Sequence, residues 1–71
     1  KDPDSLVRMN AAMALGPLGG PAAAEALGKT LEDEVHVVRE WSARSLEMIT
    51  GKPVLYLNSH GERVRPYLVY H

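Results

Sequence analysis

The chain has 71 residues, with eight Lys plus Arg against nine Asp plus Glu, a formal charge of −1 and no cysteine. So short a chain holds one small domain, with no disulfide to supplement its core. The near-neutral balance argues against nucleic acid and anionic membrane surfaces, which call for a clustered basic footprint. No apolar run approaches the ~20 residues of a membrane span, and no charged start followed by an apolar core marks a secretory signal. With cysteine absent, a cytoplasmic setting is the expectation.

The first 51 residues read as helices separated by breakers. "DPDSLVRMNAAMAL" opens with Pro3 beside Asp2 and Asp4, residues suited to a first helical turn and its positive end. Val7, Ala11, Leu15 and Leu18 recur at three- and four-residue spacing, which predicts a buried stripe on this helix. "GPLGG" ends it. "PAAAEALGKTLEDE" follows, with Pro21 again at a first position and Ala23, Ala24, Leu27 and Leu31 as its apolar face. Gly28 either weakens this helix or admits a close neighbour. A third helix, about Val35 to Ile49, is predicted to bury Val35, Val38, Ser42, Leu46 and Ile49, with Gly51 as a left-handed stop.

Residues 52–71 form a separate tail containing all three tyrosines. Its Val and Tyr content favours extended chain, and "NSHGE" has turn chemistry. Val54–Leu57 and Arg63–Tyr70 are therefore expected to pair as a hairpin, with an irregular extended arm and a short helix as the alternatives. Pro66 restricts the second strand to an edge.

A shift of thirty-one residues lays "VRMNAAMALGPLGG" over "VREWSARSLEMITG". Val7-Arg8 then falls on Val38-Arg39, Ala12 on Ala43, Leu15 on Leu46, Leu18 on Ile49 and Gly20 on Gly51. A period of this size marks stacked repeats. Within it, Asp2 precedes Arg8 by six residues and Asp33 precedes Arg39 by six. The words "DPDSLVRMNAAMALGPLGG" and "LEDEVHVVREWSARSLEMITG" resemble the HEAT repeat, in the short form found in phycobilisome lyase proteins.

That resemblance implies an all-α superhelix fragment of about three helices. Residues 2–20 would be the second helix of one repeat, and residues 21–51 one complete repeat. It also implies a ladder of hydrogen bonds between repeats, carried by Asp2, Arg8, Asp33 and Arg39. Ser42 and Ser45 depart from the small apolar residues of the family pattern. One and a half repeats leave faces without neighbours, so a terminal segment of a longer protein is expected, with the tail as its cap.

Trp41, Arg44 and Met48 lie along the flank of the third helix and are candidate anchors for a protein partner, since Trp and Arg dominate interface energetics. The alternative for Trp41 is burial beneath the tail. Met9 and Met13, opposite the expected core of the first helix, suit an adaptable binding surface or packing against an upstream repeat. A homodimer through the exposed face of the first helix is a further expectation.

No catalytic, cofactor or metal site is expected. His36 and Glu40 are one turn apart but lack a third ligand. "GPLGG" ends a helix where phosphate loops precede one, and the serines have no histidine-plus-acid arrangement. Arg63 and Arg65 among Tyr56, Tyr67 and Tyr70 read better as edge-strand protection than as a nucleic-acid surface. The expectation is a non-catalytic protein-interaction scaffold. The alternatives are an accessory subunit of an enzyme, of the bilin-lyase kind implied by the resemblance, and a nucleic-acid-binding module.

Overall fold

A computed structural model describes residues 3–66, with three helices followed by a small hairpin. Helix α1 spans Pro3–Leu18, α2 Pro21–Thr30 and α3 His36–Thr50. Strands β1 (Tyr56–Leu57) and β2 (Arg63–Val64) pair antiparallel, with Tyr56 opposite Val64 and Leu57 opposite Arg63. The expected second strand therefore stops before Pro66, and its continuation to Tyr70 lies outside the described residues. Helix α3 is the centre of the molecule, with α1, α2 and β1 all packed on it.

Local chemistry places the helix ends. Pro21 starts α2 where its missing N–H is no loss,. Gly51 closes α3 at φ 72°, a left-handed conformation that costs glycine nothing, and its N–H donates to the Glu47 carbonyl at 2.8 Å,. In the hairpin, Asn58 Oδ1 accepts the His60 and Glu62 N–H groups, each at 2.9 Å. A side chain that mimics a backbone acceptor is the usual way an Asn holds a turn.

The core consists of Ala12, Ala23, Leu27, Val38 and Ala43, together with the buried serines Ser42 and Ser45. On α2 Ala23 and Leu27 are buried as expected, with Ala24 and Leu31 half-buried. On α3 Val38 and Ser42 are buried as expected, but Val35, Leu46 and Ile49 are only half-buried, and Ala43, Ser45 and Glu47 are buried in their place. On α1 the expected stripe is mostly exposed. Val7 is 65% exposed and Leu18 76%, Ala11 is exposed, and Leu15 is half-buried. The helix instead turns Ala12 and Gly16 to α3. The reason is steric: a Cβ on Gly16 would stand 2.9 Å from Ser45 Oγ and 3.2 Å from Met48 Sδ. Only the smallest residues of α1 fit at so close an approach. The apolar stripe is real, but apart from half-buried Leu15 it faces away from the other described elements.

The two serines that depart from the repeat pattern both have partners. Ser45 donates to the Ala12 carbonyl at 2.5 Å, binding α3 to α1. Ser42 donates to the Val38 carbonyl at 2.7 Å, and its oxygen meets the Thr30 hydroxyl of α2 at 2.6 Å. Buried hydroxyls satisfied in this way each add about 1 kcal/mol and cost more than that if orphaned.

Two glycine substitutions should move stability in opposite directions. Gly16→Ala meets Ser45 and is expected to cost about 1–3 kcal/mol despite its better helix propensity. Gly28→Ala, with nothing within 4 Å of the new Cβ, should gain about 0.5–1 kcal/mol. Urea midpoints of the two variants check the pair, and a shared sign would contradict the packing described.

Candidate protein-interaction site

Asp33, in the turn between α2 and α3, is a node of polar contacts. Its carboxylate accepts Arg8 Nε at 2.6 Å and Nη2 at 3.2 Å, twenty-five residues away, and also the Val35 N–H at 2.9 Å. Its carbonyl accepts Arg39 Nη1 at 2.6 Å. The two-pronged arginine contact fixes geometry as well as charge. The Arg8 hydrogen bond, reinforced by the Val35 N–H and opposed by burial, holds the Asp33 carboxyl below the ordinary carboxylate range. Of the four ladder candidates, Arg8, Asp33 and Arg39 therefore meet at one point. Asp2 lies outside the described residues.

Arg39 has a second contact that completes the pattern. Its Nε donates to the Leu57 carbonyl of β1 at 2.7 Å, while the equivalent Nε of Arg8 donates to a carboxylate of the following unit. The hairpin stands where a next repeat would supply its aspartate. A second clamp secures it. Glu47 Oε2 accepts the Val54 N–H at 2.8 Å and Arg65 Nε at 3.1 Å, and Oε1 accepts Arg65 Nη2 at 3.3 Å. Burial works to raise the Glu47 pKa, but Arg65 and the Val54 N–H outweigh it and the net shift is downward. Sequence reasoning missed Glu47, because a glutamate within a helix reads as solvated surface until its arginine, eighteen residues on, is brought beside it.

A match to a family model described as HEAT repeats covers residues 1–47. The chain belongs to the HEAT-repeat family. No curated protein and no solved structure matches it.

HEAT repeats commonly serve as protein-interaction scaffolds, so the exposed faces matter. Residues Val37, Trp41, Arg44 and Met48 follow one another at four, three and four residues, a single stripe along α3. The Arg44 guanidinium lies 4.8 Å from the Trp41 ring centroid and 3.7 Å from Glu40. Stacking of this kind orients both side chains. Met48 is 59% exposed. A shift of thirty-one residues maps this stripe onto Leu6, Asn10, Met13 and Pro17 of α1, all exposed. Met48 Sδ approaches Gly16, the neighbour of Pro17 in the α1 stripe, so the two stripes adjoin as a ridge at that end. Met13 belongs to this ridge. Met9 does not, being half-buried beside the Ala12–Gly16 seam.

An open notch of about 310 Å³ separates the α2–α3 turn from β1. Its walls mix Leu31, Leu55 and Leu57 with Glu32, Glu34 and Arg63. Among the described residues no group of three or more His, Asp or Glu gathers as metal ligands, and His36 and Glu40 stay a pair. No helix of the described residues is long and apolar enough to cross a membrane.

The two lowered carboxyl pKa values set the acid response. A group whose folded-state pKa is depressed contributes stability above its unfolded pKa and loses it as pH falls through the folded value. Stability should hold from neutral pH down to the ordinary carboxylate range and then decline on further acidification. Glu47→Gln is expected to cost about 1–3 kcal/mol at neutral pH, to flatten part of the acid decline and to speed Val54 amide exchange. Denaturation from pH 7 to pH 2 with hydrogen exchange checks this, and an unchanged acid profile in Glu47→Gln would remove the clamp from the account.

Proposed function

We propose that the chain is a non-catalytic protein-interaction scaffold that presents the ridge of Leu6, Met13, Trp41, Arg44 and Met48 to another protein. The supporting observation is how differently two neighbouring stripes behave under the internal period. Three of the four ridge positions change character between units, with Asn10 becoming Trp41, Met13 becoming Arg44 and Pro17 becoming Met48, while Leu6 becomes the similar Val37. At the adjacent stacking positions Val7 matches Val38 and Leu18 matches Ile49, while Ala11 and Ala14 become the similarly small but polar Ser42 and Ser45. Packing constrains the second set. The first is free to be shaped by something outside the chain.

The ridge has the composition of an interface core: one tryptophan, one stacked arginine and exposed methionine and leucine, with few fixed charges. It lies on helices held by the Ser45 contact and the Asp33 node, so a partner meets a preorganised surface and little ordering entropy is lost on binding. Methionine adds adaptability at the edges. The phycobilisome-lyase subtype, and with it a role as an accessory subunit handling linear tetrapyrroles, rests on the short-repeat resemblance alone. An absorbance titration with a bilin tests it separately.

Arg44→Glu and Met48→Asp alter the ridge; because Arg44 is mostly buried beside Glu40 and Met48 borders Gly16, their thermal midpoints are measured first and capture is compared where both are folded. Each is expected to weaken capture of a partner from native lysate by more than tenfold, as loss of an interface anchor does. Gly28→Ala, at an exposed position of α2 outside the ridge, should leave capture unchanged. Retention of the same stoichiometric partner by both ridge variants would locate the contact elsewhere.

A further inference from the structure

The notch between the α2–α3 turn and β1 has a fixed floor. Arg39 bridges its two walls, with Nη1 on the Asp33 carbonyl at 2.6 Å and Nε on the Leu57 carbonyl at 2.7 Å. The outer edge of β1, the one turned away from β2, therefore faces the turn.

Strand register shows what that edge offers. The Asn58 N–H donates to the Glu62 carbonyl at 2.8 Å, so these two residues are a hydrogen-bonded pair of the ladder. Such pairs alternate along antiparallel strands. Tyr56 and Val64 are the next one, and Leu57 with Arg63 between them is not. A residue of that second kind directs both its N–H and its carbonyl away from the partner strand. The Leu57 carbonyl does so, and Arg39 meets it. The Leu57 N–H points the same way and has no acceptor among the described residues. Exposed edges are commonly blunted by charge, but β1 is Tyr56–Leu57 and carries none.

Two kinds of surface stand beside this N–H. Leu31, Leu55 and Leu57 are apolar, the last two 48% and 37% exposed. Glu32 and Glu34, both exposed on the turn, add two carboxylates. Their neighbour Asp33 is already engaged by Arg8.

We infer that the notch receives an extended peptide segment, added to β1 as a further strand, with one basic side chain directed at Glu32 and Glu34. A backbone carbonyl of the segment accepts the Leu57 N–H, and its apolar side chains lie against the leucines. Main-chain bonds then give attachment and the walls give selectivity. Arg63, exposed on the hairpin side, repels a second cation and so limits the segment to one. The volume of about 310 Å³ is at the small end for a binding pocket, so only a few side chains are read. A second copy pairing through its own β1 fits less well, since that strand brings no cation to the two glutamates. The notch shares no residue with the ridge, and the inference does not depend on the scaffold proposal.

The test follows the Leu57 amide by NMR in the intact chain, titrated with a blocked valine-rich pentapeptide carrying one central lysine. Saturable movement of that signal is expected. Its hydrogen exchange should slow about tenfold at about 10 mM peptide, as a dissociation constant near 1 mM requires. Glu32→Lys with Glu34→Lys changes two exposed positions, where stability alters little. This variant should bind the lysine peptide more than tenfold less tightly and prefer the same peptide with a central glutamate. No saturable movement at Leu57 overturns the inference. So does equal binding of the two peptides by the parent chain, or lysine-peptide binding that survives the double substitution. Sedimentation as a dimer whose dissociation exposes the Leu57 amide to exchange would overturn it in favour of a second copy.

Discussion

The close approach of α1 to α3 at Gly16 governs most of the rest. With no side chain there, Ser45 and Met48 of α3 come against the α1 backbone, and the Ser45 hydroxyl bonds into it. At that separation Arg8 can reach Asp33 with two nitrogens. Asp33 in turn ties down the Val35 amide at the start of α3 and, through its carbonyl, Arg39. A bulkier residue at position 16 would move α1 outward, lengthen the Arg8 contact and loosen the α2–α3 turn. Packing and polar order thus depend on one seam of small residues rather than on a large apolar core, which 71 residues could not build.

The hairpin repeats this solution in different chemistry. A following repeat would offer Arg39 a carboxylate, whereas the hairpin offers a neutral carbonyl, a weaker acceptor for a guanidinium. The deficit is met eight residues along α3, about 12 Å at helical rise, where Glu47 supplies the charge that β1 lacks. The polarity is reversed between the two contacts. Arginine of the scaffold binds the hairpin at one point, and arginine of the hairpin binds the scaffold at the other. Two contacts of opposite sense along one helix fix both the position and the direction of the hairpin, which a single ion pair at the surface would not do.

Much of this was legible in the residues. The period, the breakers and Gly51 located three helices, and the six-residue Asp–Arg spacing pointed to Arg8, Asp33 and Arg39, which meet in space. The turn chemistry of "NSHGE" located the hairpin. The face of α1 was not legible, because periodicity reports that a stripe is apolar and says nothing of which neighbour covers it. Val7, Ala11 and Leu18 form a stripe of the expected kind, yet the chain's own contact to α1 is made by Ala12 and Gly16, too small to register as hydrophobic signal. Glu47 was hidden for the opposite reason: its burial depends on Arg65 and the Val54 amide, and no local pattern links them. Ser42 and Ser45 looked like departures from a repeat, and their hydroxyls proved to be its fasteners.

Two stripes on α1 lie one residue apart in register, and hydrophobicity alone cannot separate stacking from binding. The internal repeat can, because each α1 position has a counterpart on α3 whose burial is known. Val7, Ala11, Ala14 and Leu18 correspond to residues enclosed by neighbouring helices, and they keep a similar size, although Ala11 and Ala14 stand where α3 has Ser42 and Ser45. Leu6, Asn10, Met13 and Pro17 correspond to a surface carrying Trp41, Arg44 and Met48, and they differ from it in charge, shape and aromaticity. Stacking must be the same at every joint for a solenoid to continue, whereas a partner contacts each unit only once. Uniformity therefore identifies the joint, and divergence identifies the surface available for recognition. With two copies of the unit in one chain, that comparison is made without any relative.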